Sequence, residues 1–269
     1  MTRTTRTTRT TQQLFDLSGR TALVTGGSRG LGLQMAEALG ECGATIVVSA
    51  RKTAELEQAV AHLAARGIAA TFIAADASKD ADMQRLADEA LQRLGRIDIL
   101  VNNSGASWGA PAEDHPVEAW DKVMNVNIRG IFLLTQLVGR NAMLPAKRGR
   151  IVNIASIAGL GGNPSFMKTI AYNTSKGACI TFTKALAAEW GPAGITVNAI
   201  APGSFETKMS APMFADGGGD RLARKVPLRR TGDDEDLKGL VALLASDAGK
   251  HITGQVIAVD GGTSMVISA

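Results

Sequence analysis

Short apolar, β-branched runs alternate along the chain with longer stretches whose apolar positions recur every three or four residues. The runs predict strands at Thr21–Thr25, Thr45–Ser49, Thr71–Ala75, Ile97–Asn102, Arg150–Ile154, Thr196–Ile200 and Gln255–Val259. The stretches between them predict helices, among them Ala54–Arg66, Ala81–Leu94 and Trp120–Met143. Strands that are apolar throughout suit a parallel sheet covered by helices on both faces. The pattern predicts α/β architecture: a single domain around a doubly wound, seven-stranded parallel sheet. No proline- or serine-rich linker and no internal repeat divides it.

The first residues break this rhythm. Positions 2–11 hold seven threonines and three arginines, with no apolar run for a signal peptide. Threonine at every second or third place also disfavours the amphipathic helix of a transit peptide. Residues 1–12 are therefore expected to be a flexible tail, and 13–269 the folded domain. Leaving out the tail's arginines, 26 basic residues stand against 25 acidic ones, so the body carries no nucleic-acid footprint. No apolar stretch approaches the roughly 20 residues of a membrane helix. Cys42 and Cys179 lack ligand spacing and sit in helical pattern, which predicts buried free thiols in a reducing, cytoplasmic setting. His62, His115 and His251 are isolated in sequence, and no metal site is expected.

The first strand runs directly into Thr25-Gly26-Gly27-Ser28-Arg29-Gly30-Leu31-Gly32 and then into helical pattern. Glycines at 26, 30 and 32 allow a tight turn and let a pyrophosphate approach a helix N-terminus, whose unpaired N–H groups favour anions. A glycine-rich turn alone is weak evidence, but here it closes the first strand of a βαβ series. The second strand's end carries a further signal. A ribose hydroxyl is commonly held there by a carboxylate, and a 2′-phosphate by a cation. Ala50 occupies the carboxylate's place, Arg51 follows it, and Arg29 in the glycine loop is placed to meet the same phosphate. This favours NADP(H) over NAD(H).

Tyr172 is the chain's one tyrosine, and Lys176 follows it by one helical turn. A phenol free in water ionises near pH 10, about three units above neutrality, so proton transfer at neutral pH calls for a nearby positive charge. Lys176 supplies one.

The Gly-x-x-x-Gly-x-Gly spacing resembles that of the short-chain dehydrogenase/reductase family. So do Asn102-Asn103-Ser104-Gly105, Tyr172-x-x-x-Lys176 and Pro202-Gly203, in the family's order and over about residues 17–262. The resemblance implies a Rossmann fold and an oxidoreductase that interconverts a ketone and a secondary alcohol by hydride transfer. It implies that Tyr172 exchanges the proton, that Lys176 also holds the nicotinamide ribose, and that Ser156 orients and polarises the carbonyl. Asn127 resembles the asparagine that positions a proton-relay water, with Asn125 as the competing candidate. Asp76 resembles an adenine contact and Thr207 a carboxamide contact. Asn103, Gly105, Pro202 and Gly203 complete the expected cofactor set.

Departures from the family pattern bear on the substrate. Ser104 replaces an alanine, and fifteen residues separate Ser156 from Tyr172, about three more than in many relatives. The segment 204–230, with Gly217-Gly218-Gly219 and no strong helix pattern, reads as a mobile substrate lid. Its cations Arg221, Arg224, Lys225, Arg229 and Arg230, with Lys168, suggest a preference for anionic ketones. Trp108 is expected either to face substrate or to line the core. Asp233–Asp236 is expected to complement a helix N-terminus. The expected substrates are 3-oxoacyl thioesters, with a sugar acid such as gluconate as the alternative and a non-catalytic NADPH-binding regulator as a remote one. Gly191-Pro192-Ala193-Gly194 offers no cation to an acidic carrier protein, which weighs against a carrier-bound substrate. Helical stretches that are apolar nearly all round, with Ile128, Phe132, Ile180 and Phe182, imply a homo-oligomer, a tetramer as in the family.

Overall fold

Seven strands pair into one sheet in the order β3-β2-β1-β4-β5-β6-β7, every neighbouring pair parallel. They are β1 (Thr21–Thr25), β2 (Thr45–Ala50), β3 (Ala70–Ala74), β4 (Ile99–Asn102), β5 (Gly149–Ile154), β6 (Ile195–Pro202) and β7 (Val256–Val259). Each end lies within two residues of the expected one. The computed structural model describes residues 8–266. From β1 the chain winds outward to β3, then returns past β1 and winds the other way from β4 to β7. That reversal opens a crevice at the carboxyl ends of β1 and β4.

The strand period of two sorts the core. Ala22 and Val24 of β1 pack with Met35 and Leu39 of α2 (Gly30–Glu41), Leu56 and Leu63 of α3 (Thr53–Ala64), and Val241 of a late helix. Leu23 points to the other face and joins Met83 and Leu86 on the helix Asp80–Leu94 and Leu134 beyond it. The full helical set is α1 (Thr11–Phe15), α2, α3, α4 (Asp80–Leu94), α5 (Val117–Met124), α6 (Gly130–Val138), α7 (Leu144–Ala146), α8 (Ile170–Trp190), α9 (Ala211–Phe214), α10 (Gly218–Lys225) and α11 (Lys238–Ala245).

Four expectations are corrected. The tail is shorter than residues 1–12. Thr10 and Gln13 form a reciprocal capping box that starts α1, and Arg9 bonds Asp247 at 2.8 Å. Residues 1–7 lie outside the described residues. The helix expected over Trp120–Met143 is interrupted by π turns at Asn125–Arg129 and Gly139–Met143. Both interruptions sit where the helix is pressed closely: a Cβ on Gly130 would lie 2.2 Å from the Ala77 carbonyl oxygen, and one on Gly139 would lie 2.1 Å from the Trp190 ring.

The lid is helical, carrying α9 and α10, because the glycine run makes a corner and not a loop. Gly217 is left-handed (φ 72°), and a Cβ on Gly218 would strike the Met213 carbonyl oxygen at 1.9 Å. Finally, the acidic run precedes α11 without entering its first turn. Asp236 takes a paired contact from Arg230 and closes back on the Asp233 N–H at 2.9 Å. Cys179 is buried as expected, while Cys42 is only half-buried, just past the end of α2.

One ion cluster ties α2 to α3 and α11. The Glu37 carboxylate meets Lys238, His62 (2.6 Å) and Arg66 (3.2 Å). Burial alone would raise the Glu37 carboxyl, but hydrogen bonds from Lys238 and His62 and the charges of Lys238 and Arg66 hold it down to about 2, from 4.5. A carboxyl depressed in the folded state stabilises the fold above its unfolded value, and that contribution fades as pH falls from about 4.5 towards about 2. Glu37→Gln should cost about 1–3 kcal/mol at neutral pH and remove part of the acid sensitivity in that window. Urea unfolding of both proteins from pH 7 to pH 3 checks this; equal acid slopes would contradict it.

Candidate active site

The crevice holds a groove of about 520 Å³, and all the residues expected to touch cofactor line it, from Gly26 in the glycine loop to Thr207 in the lid. The loop is tight for a definite reason. A Cβ on Gly32 would lie 2.2 Å from the Gly26 carbonyl oxygen, so the chain can double back on itself only with glycine there. Gly26 and Gly30 have φ of 62° and 52°, in the left-handed region. Two polar side chains pin the loop to the end of β4. The Thr25 hydroxyl accepts from the Asn103 and Ser104 N–H groups at 3.0 and 3.1 Å, and the Asn103 amide donates to the Thr25 and Gly26 carbonyls at 3.0 and 3.1 Å.

At the far end of β5, the Ser156 hydroxyl accepts from the Ala158 N–H at 3.1 Å, which leaves its own proton available to the groove that it lines. Tyr172 and Lys176 stand one turn apart on α8, and both line the same groove. The Lys176 ammonium is buried, donates to the Ile154 carbonyl at 2.6 Å, and lies 5.6 Å from the centre of the Tyr172 ring. An ammonium has three donors, so it retains capacity towards the groove, where a ribose diol would supply acceptors. The residues present thus fit a nicotinamide dinucleotide.

Asn127, expected to position a proton-relay water, has its side chain turned into the protein. It lies in the π turn, fully buried behind the groove. Its amide donates to the Ala106 carbonyl at 2.9 Å and to the Ser175 hydroxyl at 2.9 Å, and its oxygen accepts from the Ala106 N–H at 2.7 Å. Both amide hydrogens are committed inside the protein. Its side chain therefore joins the end of β4 to α8, one layer behind the reacting groups.

The adenine end is rich in charge. Arg29, Arg51, Lys52 and Lys208 line it, with Asp76 and Glu55. Asp76 caps the following turn through Ser78 (3.0 Å to its N–H, 2.8 Å to its hydroxyl). Burial would raise its carboxyl, but those bonds and the charges of Arg51 and Lys79 hold it below the usual range. Arg29, expected to meet a phosphate, lines this end of the groove with its guanidinium bonded to Glu55. Burial likewise opposes a charged Glu55, but Arg29, Lys52 and Lys208 together hold it ionised below the usual carboxylate range. In the segment expected to form a lid, the Thr207 methyl would lie 3.6 Å from a Cβ on Gly30, so this part of the chain lies beside the glycine loop.

Comparison with known proteins agrees with this geometry. Residues 26–264 match the family model described as enoyl-(acyl carrier protein) reductase. The chain is 38% identical over 255 residues to gluconate 5-dehydrogenase of Gluconobacter oxydans, covering 94% of this chain and 97% of that protein. It is also 38% identical over 253 residues to the rhamnolipids biosynthesis 3-oxoacyl-[acyl-carrier-protein] reductase of Pseudomonas aeruginosa, covering 92% and 97%. The chain belongs to the short-chain dehydrogenase/reductase family. Among solved structures it superposes on a gluconate 5-dehydrogenase of Burkholderia cenocepacia, in complex with NADP and tartrate. The TM-score is 0.89 at 35% identity, over 95% of this chain and 99% of that one.

This short-chain dehydrogenase/reductase, an oxidoreductase of CH–OH groups, is held together at its site by side chains to which the sequence reading gave no role. Asn102 and Asn153 are cross-strand neighbours at the ends of β4 and β5. The Asn102 amide donates to Asn153 (2.8 Å) and Thr135 (2.9 Å), and the Asn153 amide donates to Thr183 on α8 (2.9 Å). Paired asparagines ending two adjacent apolar strands were the available signal. Gly159 gave none, yet a Cβ there would lie 2.6 Å from the Lys176 backbone carbon. Gly159→Ala should push α8 outward, costing about 1–3 kcal/mol of stability and most of the turnover. Gly161→Ala, with nothing within 4 Å of the new methyl, should leave both nearly unchanged. Thermal unfolding and initial rates of the two variants make the comparison; equal behaviour would refute the crowding argument.

Proposed function

We propose that the protein is an NADP(H)-dependent oxidoreductase that interconverts a ketone and a secondary alcohol, and that its ketone is carried on an apolar chain of the 3-oxoacyl thioester type. The observation carrying the reaction is the placement of Tyr172, Lys176 and Ser156 on one groove with the glycine loop. When bound, the nicotinamide supplies or accepts the hydride. In the reducing direction, the Tyr172 hydroxyl donates its proton to the substrate oxygen, and Lys176 stabilises the phenolate left behind. Ser156, its oxygen already engaged by the Ala158 N–H, donates its hydroxyl proton in a hydrogen bond to the same substrate oxygen. Asn127 keeps α8 and the Ala106 strand end at their spacing. Arg29, Arg51, Lys52 and Lys208 support a 2′-phosphate, and NADP complexes among the relatives of known structure support it too.

The apolar substrate is supported by the rim. Met209 lines the groove, and Trp108, Leu160, Phe166 and Met213, also at least 40% exposed, follow in the chain its lining residues Ser107, Ser156 and Ser210. Two contacts join these stretches of chain: the Ala110 N–H donates to the Lys168 carbonyl at 3.0 Å, and the Lys225 ammonium lies 5.5 Å from the centre of the Phe166 ring. The lid cations support a sugar acid less than their number suggests. Arg221 bonds the Asp216 carbonyl, Arg229 bonds the Arg224 carbonyl, and Arg230 is paired with Asp236. The sugar-acid alternative still draws support from Lys168 and Lys225 and from the gluconate 5-dehydrogenases among the relatives.

NADPH oxidation should therefore rise along a series of 3-oxoacyl thioesters. A buried methylene contributes about 0.8 kcal/mol, roughly fourfold in kcat/KM per carbon until the rim is filled. 5-Ketogluconate should be turned over more slowly than the longer thioesters; the reverse order would favour the sugar acid. Tyr172→Phe should lower turnover at least about a hundredfold while leaving NADPH binding nearly intact. Retention of a tenth of the rate would assign the proton to another group.

Self-association as a homotetramer is supported by Phe132, 46% exposed on α6 and stacked edge-on against Phe182 of α8 at 6.4 Å. Phe132→Glu should yield a smaller species by light scattering at micromolar concentration; a wild-type monomer would dismiss the proposal. A cytoplasmic setting is supported by two free thiols, Cys42 and Cys179.

A further inference from the structure

At the adenine end of the groove, two acids, Asp76 and Glu55, stand among four bases, and Glu55 gathers three of them. Glu55, on the first turn of α3, accepts from the Arg29 guanidinium, with the Lys52 ammonium at 3.5 Å and the Lys208 ammonium at 3.7 Å. The three cations arrive from separate parts of the chain: the glycine loop, the β2–α3 turn and the first turn of the lid. An acid in a first helical turn is ordinary, since it favours the helix dipole. That role requires no partner from the lid or from the loop 26 residues earlier. Glu55 instead draws both across the groove that it lines.

The reading of the cofactor as NADP(H) places a phosphate among these same cations, and this inference rests on it. We propose that Glu55 is the protein's own anion in the subsite of the 2′-phosphate, holding Arg29 and Lys208 across the groove until the phosphate displaces it. A carboxylate and a phosphate dianion repel each other when they share cations. Glu55 therefore sets the preference for NADP(H) over NAD(H) below what Arg29, Arg51, Lys52 and Lys208 alone would give. Because Lys208 belongs to the lid, the exchange also releases the lid's first turn from α3. Occupancy of the adenine end is thereby coupled to the segment that covers the reacting end.

The test uses 2′,5′-ADP and 5′-ADP as probes, because they carry the adenosine with and without the phosphate and require no turnover. Binding to the wild-type protein, Glu55→Gln and Glu55→Ala is measured by calorimetry, with thermal unfolding to confirm that each variant is folded. Both variants should bind 2′,5′-ADP roughly three- to tenfold more tightly and 5′-ADP within about twofold of wild type, the scale of one exposed charge interaction. Without ligand, amide hydrogen exchange over residues 207–215 should be faster in the variants than in the wild-type protein.

Unchanged or weaker 2′,5′-ADP binding would overturn the proposal, since Glu55 would then arrange the cations and not compete for them. Weaker 5′-ADP binding in the variants would also overturn it, since the carboxylate would then be holding the ribose. A wild-type protein that binds the two probes equally would refute the NADP(H) reading itself. Preference for 2′,5′-ADP in the wild type, with no gain in the variants, would refute the role of Glu55 alone.

Discussion

The Lys176 ammonium, buried against the Ile154 carbonyl at 2.6 Å, is the contact on which the site depends. A buried cation is costly unless backbone dipoles or bound groups surround it, so α8 must lie close against the end of β5 and stay there. Several otherwise unrelated features serve that closeness. Gly159 lets the turn after Ser156 lie on the Lys176 backbone, and the chain from Asn102 through Asn153 to Thr183 links two strand ends to α8. Asn127 adds a third link through Ser175, whose hydroxyl donates to the Tyr172 carbonyl at 2.8 Å. Tyr172 and Lys176 are thus positioned by a buried polar network in which the Asn102 side-chain oxygen Oδ1 lacks a partner.

The strands were legible because a doubly covered parallel sheet leaves an unmistakable apolar run for each one, as in β1 and β6, where every residue is buried. The groove was legible because backbone approach demands glycine at fixed spacing. What stayed hidden depends on contacts between distant residues. The π turns adjoin Gly130 and Gly139, where Ala77 and Trp190 approach closely, and neither partner is near in sequence. α1 escaped notice because its five residues depend on the docking of Arg9 to Asp247, while their composition reads as tail. Local pattern could not tell a lid corner from a loop, since three consecutive glycines suit both.

Asn127 shows how a motif can single out a residue without foretelling its side-chain contacts. The resemblance implies a role in proton relay; the side-chain amide hydrogens are both held by Ala106 and Ser175. The π turn is what makes this possible. By adding a residue to one helical turn, it sets Asn127 towards Ala106 and Ser175.

The two ends of the groove are governed by different physics. At the reacting end, Ser156 and Lys176 are at least nine-tenths buried, and water cannot screen what they do. At the adenine end, Arg29 and Lys208 are largely exposed, and their pull on a phosphate falls as salt rises. Capture and discrimination of cofactor can therefore be tuned by surface charges without disturbing the proton path. The segment 204–230 touches both regimes: Lys208 reaches Glu55 at the charged end, and three residues earlier in the chain Phe205, which lines the groove, packs into the core beside Gly232. Movement of that segment is the physical route by which charge at one end of the groove can affect access at the other.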